Sequence, residues 1–207
     1  MTTRRHVMLG TAGLLAAPAL LRPALAAPAI AAAAPDFTGT DTNGASVTLA
    51  GLRGKVVVLE WWNHQCPFVN KHYSSSNMQS LQKEAATRGV VWISVQSSAE
   101  GEQGFVAPAE ANTLMQEKGA APAHVLIDTP GRIGSAYEAK VTPHMFVIGK
   151  DGTLQYMGGI DSIASTRVDD IQRATPYARE AIIAVSEGRT PANAVTRPYG
   201  CVIKYGA

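Results

Sequence analysis

The stretch KVVVLEWWNHQCP occupies residues 55–67 and joins a strand signal to a helix signal. Its first eight residues form an apolar run rich in β-branched side chains, which is typical of a central strand buried on both faces of a sheet. Pro67 suits the first position of a helix and Gly89 is a stop signal, so a helix is predicted from Cys66 to Arg88. A buried strand followed at once by a long helix indicates an α/β fold.

The segments on either side of this stretch extend the same pattern. Asn43-Gly44 predicts a hairpin, and Asp151-Gly152 predicts a second one between two apolar strands. Further strands are predicted at residues 90–95, 125–127, 144–148 and 153–157, and further helices at 108–118, at 132–140 and from Pro176 to Glu187 with Thr175 as the cap. The sequence therefore predicts one α/β domain with a mixed central sheet over residues 35–188, followed by a Pro-containing tail over residues 189–207.

Composition and charge exclude several classes of protein. The chain has 207 residues, of which 46% are hydrophobic and 16% charged, which suits a soluble globular domain. The formal net charge is +2, but three of the 18 basic residues are arginines within residues 1–34, and the remaining 15 face 16 acidic residues. A nearly neutral body does not indicate nucleic-acid binding. Two cysteines exclude a disulfide framework and a zinc site built on three or four thiolates.

The first 34 residues have the parts of a secretory signal. Arg4-Arg5 precedes an apolar run over residues 7–21, and small residues follow. Paired arginines before such a run are similar to a twin-arginine export signal, and the run is shorter than the ~20 residues of a spanning helix. A cleaved signal over residues 1–34 is predicted, with the cut after Ala26 or within residues 31–34; an uncleaved anchor and ordinary Sec export are the alternatives. The mature protein is then periplasmic, has no membrane span and depends on the twin-arginine machinery.

Cys66 is the strongest candidate for chemistry. It stands where the N-cap of the predicted helix belongs, and a thiol reacts as its thiolate. The free amides of Phe68 and Val69, together with the helix dipole, favour negative charge on its sulfur. The alternative is a structural cysteine that packs as a small apolar residue.

The order of five motifs resembles the thioredoxin-fold redoxins of the alkyl hydroperoxide reductase/thiol-specific antioxidant superfamily, in an exported, peroxiredoxin-like branch with Cys-Pro-Phe-Val at the active site. The motifs are Gly51-Leu52-Arg53-Gly54-Lys55, Trp62, Cys66-Pro67, Val141-Thr142-Pro143 and Asp151-Gly152. The resemblance covers roughly residues 36–160 and implies a central sheet of about four or five strands flanked by helices. It also implies that Cys66 is the redox cysteine, that Pro143 is a cis-proline facing it, and that the backbone of Thr142 meets a substrate thiol. Pro67 and Trp62 complete the predicted substrate site, with Trp62 as a wall of the cysteine pocket.

The chain departs from these relatives in two places. Val69 stands where thioredoxin-type enzymes carry a second cysteine, and Asn63 and Leu59 stand where typical peroxiredoxins carry Thr or Ser and Pro. Because the chain has one other sulfur nucleophile, Cys201 is a candidate resolving cysteine that forms a disulfide with Cys66 within one chain or between two. The competing interpretation places Cys201 as a buried spacer in a C-terminal strand.

Nearby histidines and one carboxylate are candidates for proton transfer. His64 lies two residues before Cys66 and is either a proton donor, a charge partner for thiolate or a solvated loop residue. Glu60 is unusual inside an apolar strand, and it either relays protons to the cysteine or has no role.

His72 lies about 240° around the helix from Cys66 and points elsewhere. His144, in contrast, is close enough in this fold for a Cys66/His64/His144 copper or zinc site to be an alternative. Asp128, Arg132 and Asp161 are interpreted as turn or surface residues.

The leading hypothesis is an exported thiol-dependent oxidoreductase with peroxiredoxin-like antioxidant activity. In it Cys66 attacks a peroxide or a disulfide, no cofactor is used, and an external thiol reductant closes the cycle. One alternative is a periplasmic disulfide reductase or isomerase of the thioredoxin type. The other is a non-catalytic thioredoxin-fold module that binds a partner or handles copper.

Overall fold

The computed structural model describes residues 27–206, so most of the predicted export signal, residues 1–26, lies outside the described residues. Nine strands occur in this part of the chain: β1 Thr38–Thr40, β2 Ser46–Thr48, β3 Val57–Trp61, β4 Val91–Gln96, β5 His124–Ile127, β6 Val141–Thr142, β7 His144–Ile148, β8 Leu154–Gly158 and β9 Cys201–Val202. The α-helices within the same residues are α1 Pro67–Ser74, α2 Asn77–Thr87, α3 Pro108–Glu117, α4 Arg132–Ala136 and α5 Tyr177–Ser186. Short 3-10 helices cover Ala50–Leu52 and Val168–Arg173. None of the helices between residues 27 and 206 has the length and apolar character needed to cross a bilayer.

A mixed five-stranded sheet forms the centre of the fold, in the order β5-β4-β3-β7-β8. β3 pairs in parallel with β4 and antiparallel with β7, and every residue of β3 is buried. The predicted α/β architecture and the predicted central strand are therefore confirmed. The two predicted hairpins are present as well, β1–β2 around Gly44 and β7–β8 around Gly152.

The alternation of side chains along β3 divides the core into two layers. Val58 and Glu60 face the layer that holds α1, α2, α3 and α5, and Cys66 and Trp62 belong to that same layer. Leu59 and Trp61 face the opposite layer, which is closed by the β1–β2 hairpin, α4 and Ile203. The period of two along a strand is what sends neighbouring residues to opposite faces of the sheet.

The single helix predicted from Cys66 to Arg88 is wrong, because the chain forms α1 and α2 with a break between them. Ser76 has a left-handed backbone conformation (φ 59°), and the Ser75 hydroxyl donates to the carbonyl of Lys71 at 2.8 Å. Serine side chains compete for backbone hydrogen bonds in this way, so the run of serines at residues 74–76 ends the first helix. The prediction depends on the two end signals, Pro67 and Gly89, and neither of them reports a break between them.

Two other predicted helix ends also differ from the structure. α4 ends at Ala136 rather than at Lys140, since Glu138 has a positive φ of 48°. α5 begins at Tyr177, and no side-chain hydrogen bond caps its first turn. Thr175 is therefore not the cap: Pro176 holds the N-cap position, and the amide of Thr175 donates to the Ser162 hydroxyl at 2.9 Å.

Both ends of the described chain pack against the sheet. The amide of Ala31 donates to Leu154 O and the amide of Leu154 donates to Ala32 O, each at 2.8 Å, so this segment lies along β8. At the other end β9 pairs with β6, Ile203 is buried, and the Tyr205 hydroxyl donates to Ala139 O at 2.8 Å. The C-terminal segment thus runs across the domain surface, with fixed contacts on both sides of Cys201.

Candidate active site

The strand β3 and the helix α1 place Cys66 in the interior of the protein. Cys66 is the N-cap residue of α1 in an extended conformation, Pro67 is the first helical residue, and the Cys66 side chain is fully buried. Its thiol donates a hydrogen bond to the backbone carbonyl of Thr142, with 3.0 Å between Sγ and O. The cysteine and the segment before Pro143 therefore face each other directly.

The predicted contact between the Cys66 sulfur and the first amides of α1 is not formed. Within the described residues the Cys66 side chain makes no capping hydrogen bond to its helix, and its thiol is directed to Thr142 instead. The sulfur therefore faces a backbone carbonyl of the opposite wall rather than the first amides of its own helix. The dipole of α1 still favours negative charge at this position once the proton has left.

Thr142 and Pro143 form the opposite wall of the site. The peptide bond between them is cis, as the resemblance implies, and Thr142 is buried. Thr142 lies in β6, which pairs antiparallel with β9 so that Thr142 is opposite Cys201. The close approach requires Gly200, since a side chain there would collide with the carbonyl oxygen of Thr142.

Cys201 lies beside Cys66, although 135 positions separate the two in the sequence. Both cysteines are free thiols in this structure, Cys66 buried and Cys201 half-buried. Burial, together with the neighbouring Cys66 sulfur, raises the pKa of Cys201 to about 12. Cys201 is therefore protonated near neutral pH. The competing interpretation is correct about a C-terminal strand, because β9 exists, but wrong about a buried spacer, because Cys201 is half-buried and Val202 is exposed.

Trp62 and His64 line the loop that leads into Cys66. Trp62 is buried in the same core layer as Cys66, and its ring centroid lies 5.8 Å from that of His64. Neither Trp62 Nε1 nor His64 Nδ1 has a hydrogen-bond partner among residues 27–206, although both atoms are buried. Burial lowers the pKa of His64, so its ring is neutral near pH 7 and does not act as a positively charged partner of a thiolate.

Glu60 is held within a closed network in the core. Its carboxyl group accepts hydrogen bonds from Tyr73, Trp92 and Ser94 at 2.9 Å each and from Gln82 at 3.5 Å. Burial raises the pKa of Glu60, and the four donors oppose that effect. In the described part of the chain no hydrogen bond joins Glu60 to Cys66, so a direct proton relay between them is not built.

The hypothesis of a Cys66/His64/His144 metal site is wrong. His144 lies in β7 and stacks on Phe146, with 4.4 Å between ring centroids, in the core layer on the other side of the sheet from Cys66. Burial lowers the pKa of His144 to about 4. Over residues 27–206 no three side chains of His, Cys, Asp or Glu lie close enough to hold a metal ion.

Sequence reasoning misses two buried aspartates. Asp128 accepts hydrogen bonds from the Ser97 hydroxyl at 2.7 Å and from the first amides of α4, and Asp161 forms an ion pair with Lys71. Arg132 is exposed, as predicted. Asp128 stands at the end of β5 and just before α4, and this position in the sequence is a signal that could have identified its role. Asp161 has no local signal, because its partners are distant in the sequence.

Comparison with known proteins identifies the family. The AhpC/TSA family model matches residues 30–157, which is more than half of the chain. The chain belongs to the AhpC/TSA family. Membership in it supports thiol–disulfide oxidoreductase chemistry of the redoxin type, and the matched segment ends before Cys201. No curated protein sequence matches the chain.

Solved structures confirm the thioredoxin-like fold. An uncharacterized conserved protein from Geobacillus kaustophilus is 22% identical with a TM-score of 0.72, and the match covers 86% of this chain and 93% of that one. A hypothetical protein from Sinorhizobium meliloti 1021 is 21% identical with a TM-score of 0.72, covering 88% of this chain and 97% of that one. The thioredoxin domain of a thiol-disulfide oxidoreductase from Bacteroides vulgatus is 16% identical with a TM-score of 0.51, covering 70% and 96%. These likenesses establish the architecture.

The raised pKa of Glu60 generates a prediction about stability and pH. A buried carboxyl that keeps its proton stabilises the folded state fully below its unfolded pKa of 4.5, and this contribution is lost as the pH rises through the raised pKa. The stability of the native protein relative to Glu60→Gln is therefore expected to fall by about 1.4 kcal/mol per pH unit across that interval. Urea unfolding between pH 4 and pH 8 measures it. Exposed Glu102→Gln is the control, and a pH-independent difference for Glu60→Gln contradicts the prediction.

The contact of Gly200 with Thr142 generates a prediction about Cys201. Gly200 has φ 140°, and in Gly200→Ala the added methyl group is expected to push β9 off β6. Cys201 then loses the burial that raises its pKa, and each unit of decrease gives about tenfold more thiolate. Alkylation of Cys201 by iodoacetamide at pH 8, followed by peptide mass spectrometry, is expected to accelerate at least about tenfold.

The matched control for this experiment is Gly188→Ala. Gly188 also has a positive φ, 74°, but a methyl group there meets no atom within 4 Å. Gly188→Ala therefore introduces comparable backbone strain, but its methyl group does not collide with Thr142 or with any other residue of the site. Equal alkylation rates of Cys201 in the two variants would show that the close approach of Gly200 does not hold β9 in place.

Proposed function

We propose that this protein is an exported thiol-dependent oxidoreductase with peroxiredoxin-like activity, in which Cys66 is the attacking thiol and Cys201 the resolving thiol. The observation that carries the proposal is the pair of free thiols held side by side across Thr142. A lone reactive cysteine needs a second thiol to release it from its oxidised form. Position 69 is a buried valine, and β9 supplies the missing sulfur from the other end of the chain.

The first step is attack of the Cys66 thiolate on the peroxide oxygen. A sulfur–oxygen bond forms, the oxygen–oxygen bond breaks, and the leaving alkoxide or hydroxide takes up a proton as an alcohol or water. Cys66 is thereby oxidised to a sulfenic acid and the peroxide is reduced. The thiol proton that Cys66 shares with the carbonyl of Thr142 must leave first. His64 is the candidate acceptor, because its ring is neutral and its Nδ1 has no partner in the described structure.

The second step joins the two cysteines. The Cys201 sulfur attacks the Cys66 sulfur, a disulfide bond forms and the sulfur–oxygen bond breaks. The departing hydroxide takes the Cys201 thiol proton and leaves as water, so one peroxide and two thiols give an alcohol, water and a disulfide. An external thiol then reduces the disulfide and closes the cycle. The high pKa of Cys201 suits this order, since it keeps Cys201 from competing for the first step.

Disulfide exchange is the second candidate reaction. Cys66 would attack a substrate disulfide, forming a mixed disulfide and releasing one substrate thiolate, and Cys201 would then displace the second thiolate. The adjacent dithiol favours this chemistry equally. The full burial of the Cys66 side chain favours a small substrate over a folded protein disulfide.

The surrounding residues take supporting roles in this proposal. Trp62 walls the thiol pocket, Pro67 begins the helix whose dipole favours the thiolate, and Thr142 with Pro143 orders the approaching oxygen or sulfur. Glu60 lacks a direct hydrogen bond to Cys66 among the described residues, and we propose that it sets the stability of the layer beneath the site rather than a proton relay.

Oxidation of the reduced protein tests the proposal. With one equivalent of hydrogen peroxide, peptide mapping of the native chain is expected to show a Cys66–Cys201 disulfide. In Cys201→Ser, dimedone is expected to trap Cys66 as a sulfenic acid. In Cys66→Ser, Cys201 is expected to remain a thiol. When glutathione disulfide replaces peroxide, the same experiment gives the rate of disulfide exchange, the second candidate reaction. If Cys66 reacts with neither oxidant, the proposed function is contradicted.

Export is part of the same proposal. Arg4-Arg5 before the apolar run supports the twin-arginine route, and the hydrogen bonds of residues 31–34 with β8 support cleavage after Ala26, because a later cut removes those bonds. Replacing both arginines by lysine is expected to abolish accumulation in the periplasm, measured by fractionation. Sequencing of the native protein is expected to begin at Ala27. Undiminished export of the lysine variant rejects the route, and a start near residue 35 rejects the cleavage point.

A further inference from the structure

A second buried polar cluster joins α1, the segment after β8 and the C-terminal segment. It consists of Lys71 and His72 on α1, Asp161 after β8, and Tyr199 in the C-terminal segment. Lys71 Nζ lies 3.2 Å from Asp161 Oδ2 and 3.2 Å from the carbonyl oxygen of Ile163. The Tyr199 hydroxyl donates to Asp161 Oδ1. Asp161 thus connects a helix to a distant segment through its two carboxylate oxygens.

The charges of this cluster are balanced without solvent. Lys71 and His72 have fully buried side chains, and the side chain of Asp161 is 5% exposed. Burial lowers the pKa of His72 to about 4, so its ring is neutral. The Nδ1 atom of His72 lies 2.8 Å from Nδ2 of the Asn77 side chain. The charged pair is therefore Lys71 with Asp161, while His72 Nε2 lies 3.7 Å from Asp161 and 3.5 Å from the Tyr199 hydroxyl.

Each element held by Asp161 carries one of the two thiols. α1 has Cys66 as its N-cap residue, and Tyr199 lies two residues before Cys201. The Tyr199 ring also packs edge-on against Phe68 of α1, with 5.7 Å between centroids. The position of Cys201 relative to Cys66 is therefore set on one side by these contacts of Tyr199, and on the other by Ile203 and Tyr205.

We propose that Asp161 is a positioning residue for the resolving step, and that its hydrogen bond with Tyr199 holds the Cys201 thiol against Cys66. The proposal rests on the proposed function, because it concerns the closure of the Cys66–Cys201 disulfide. Holding two reacting groups in register raises their effective concentration, and this accelerates closure and favours the disulfide at equilibrium. The attack of Cys66 on its first oxidant needs no such contact and is independent of Asp161.

Tyr199→Phe is the variant that isolates this contact. It keeps the aromatic packing on Phe68 and leaves the Lys71–Asp161 pair intact, so no buried charge loses its partner. Tyr177→Phe is the matched control, since Tyr177 lines the same groove as Tyr199 and Asp161, and its hydroxyl makes no hydrogen bond within residues 27–206. A hydrogen bond to a charged acceptor supports an expected effect of about tenfold.

Two measurements follow the resolving step itself. Rapid mixing with one equivalent of peroxide, quenched by dimedone at increasing times, gives the rate at which the Cys66 sulfenic acid converts to the disulfide. Equilibration in glutathione redox buffers gives the stability of the Cys66–Cys201 disulfide. In Tyr199→Phe both values are expected to fall about tenfold, with an unchanged rate of Cys66 oxidation and unchanged values for Tyr177→Phe.

The outcomes separate the proposal from the function on which it rests. If the native chain forms no Cys66–Cys201 disulfide, the proposed function fails. If the native chain forms it and Tyr199→Phe closes it at the same rate and equilibrium, the positioning role of Asp161 is overturned. Lys71→Met with Asp161→Leu provides a second test, which removes the acceptor of the Tyr199 hydroxyl and leaves no unpaired charge, and it is expected to slow closure to the same extent. An equal loss in the rate of Cys66 oxidation would indicate a general structural role and would also overturn the proposal.

Discussion

The hydrogen bond from the Cys66 thiol to the carbonyl of Thr142 is the contact on which the rest of the site depends. Thr142 belongs to a strand of two residues whose partner is β9, so the residue that meets the first thiol also lies opposite the second. The geometry leaves room for this because Gly200 has no side chain to collide with Thr142. One backbone position therefore sets the location of both sulfurs.

Buried charged and polar groups fix how the elements of the site pack around α1. Glu60 beneath the helix and the Lys71–Asp161 pair beside it are both almost free of solvent, and each has its hydrogen bonds satisfied. Buried ion pairs contribute little net stability, because desolvation offsets their attraction, but a shift in packing would leave a charge without its partner. Through its hydrogen bond with Tyr73, Glu60 therefore holds α1 on the sheet, whereas the Lys71–Asp161 pair sets how the C-terminal segment packs against that helix.

The sequence was informative wherever the signal was local. The apolar run before Cys66, the proline after it and the turns at Gly44 and Gly152 predict the central strand, the helix start and both hairpins, since each depends on residues within a few positions. The break at Ser76 is not predicted, because the signals at Pro67 and Gly89 mark only the ends of the helical region, whereas the serine side chains end the first helix in its middle. Asp161 was misread as a surface residue because its partner Lys71 lies 90 positions away.

In the proposed function, the distance between the two cysteines along the chain affects how oxidation of Cys66 is related to its disulfide closure with Cys201. In this chain the first thiol is supported by β3 and α1, whereas the second is supported by a C-terminal segment bound through Tyr199 on one side and Tyr205 on the other. The two supports meet at Thr142, at Asp161 and in the packing of Tyr199 on Phe68. We therefore expect that loss of the Tyr199 hydroxyl alone leaves β3, the start of α1 and the contact of Cys66 with Thr142 in place while it weakens the encounter of the two sulfurs. Under the proposed function, the reactivity of Cys66 and the efficiency of its disulfide closure with Cys201 are thus separable properties of the fold, encoded in segments at opposite ends of the domain.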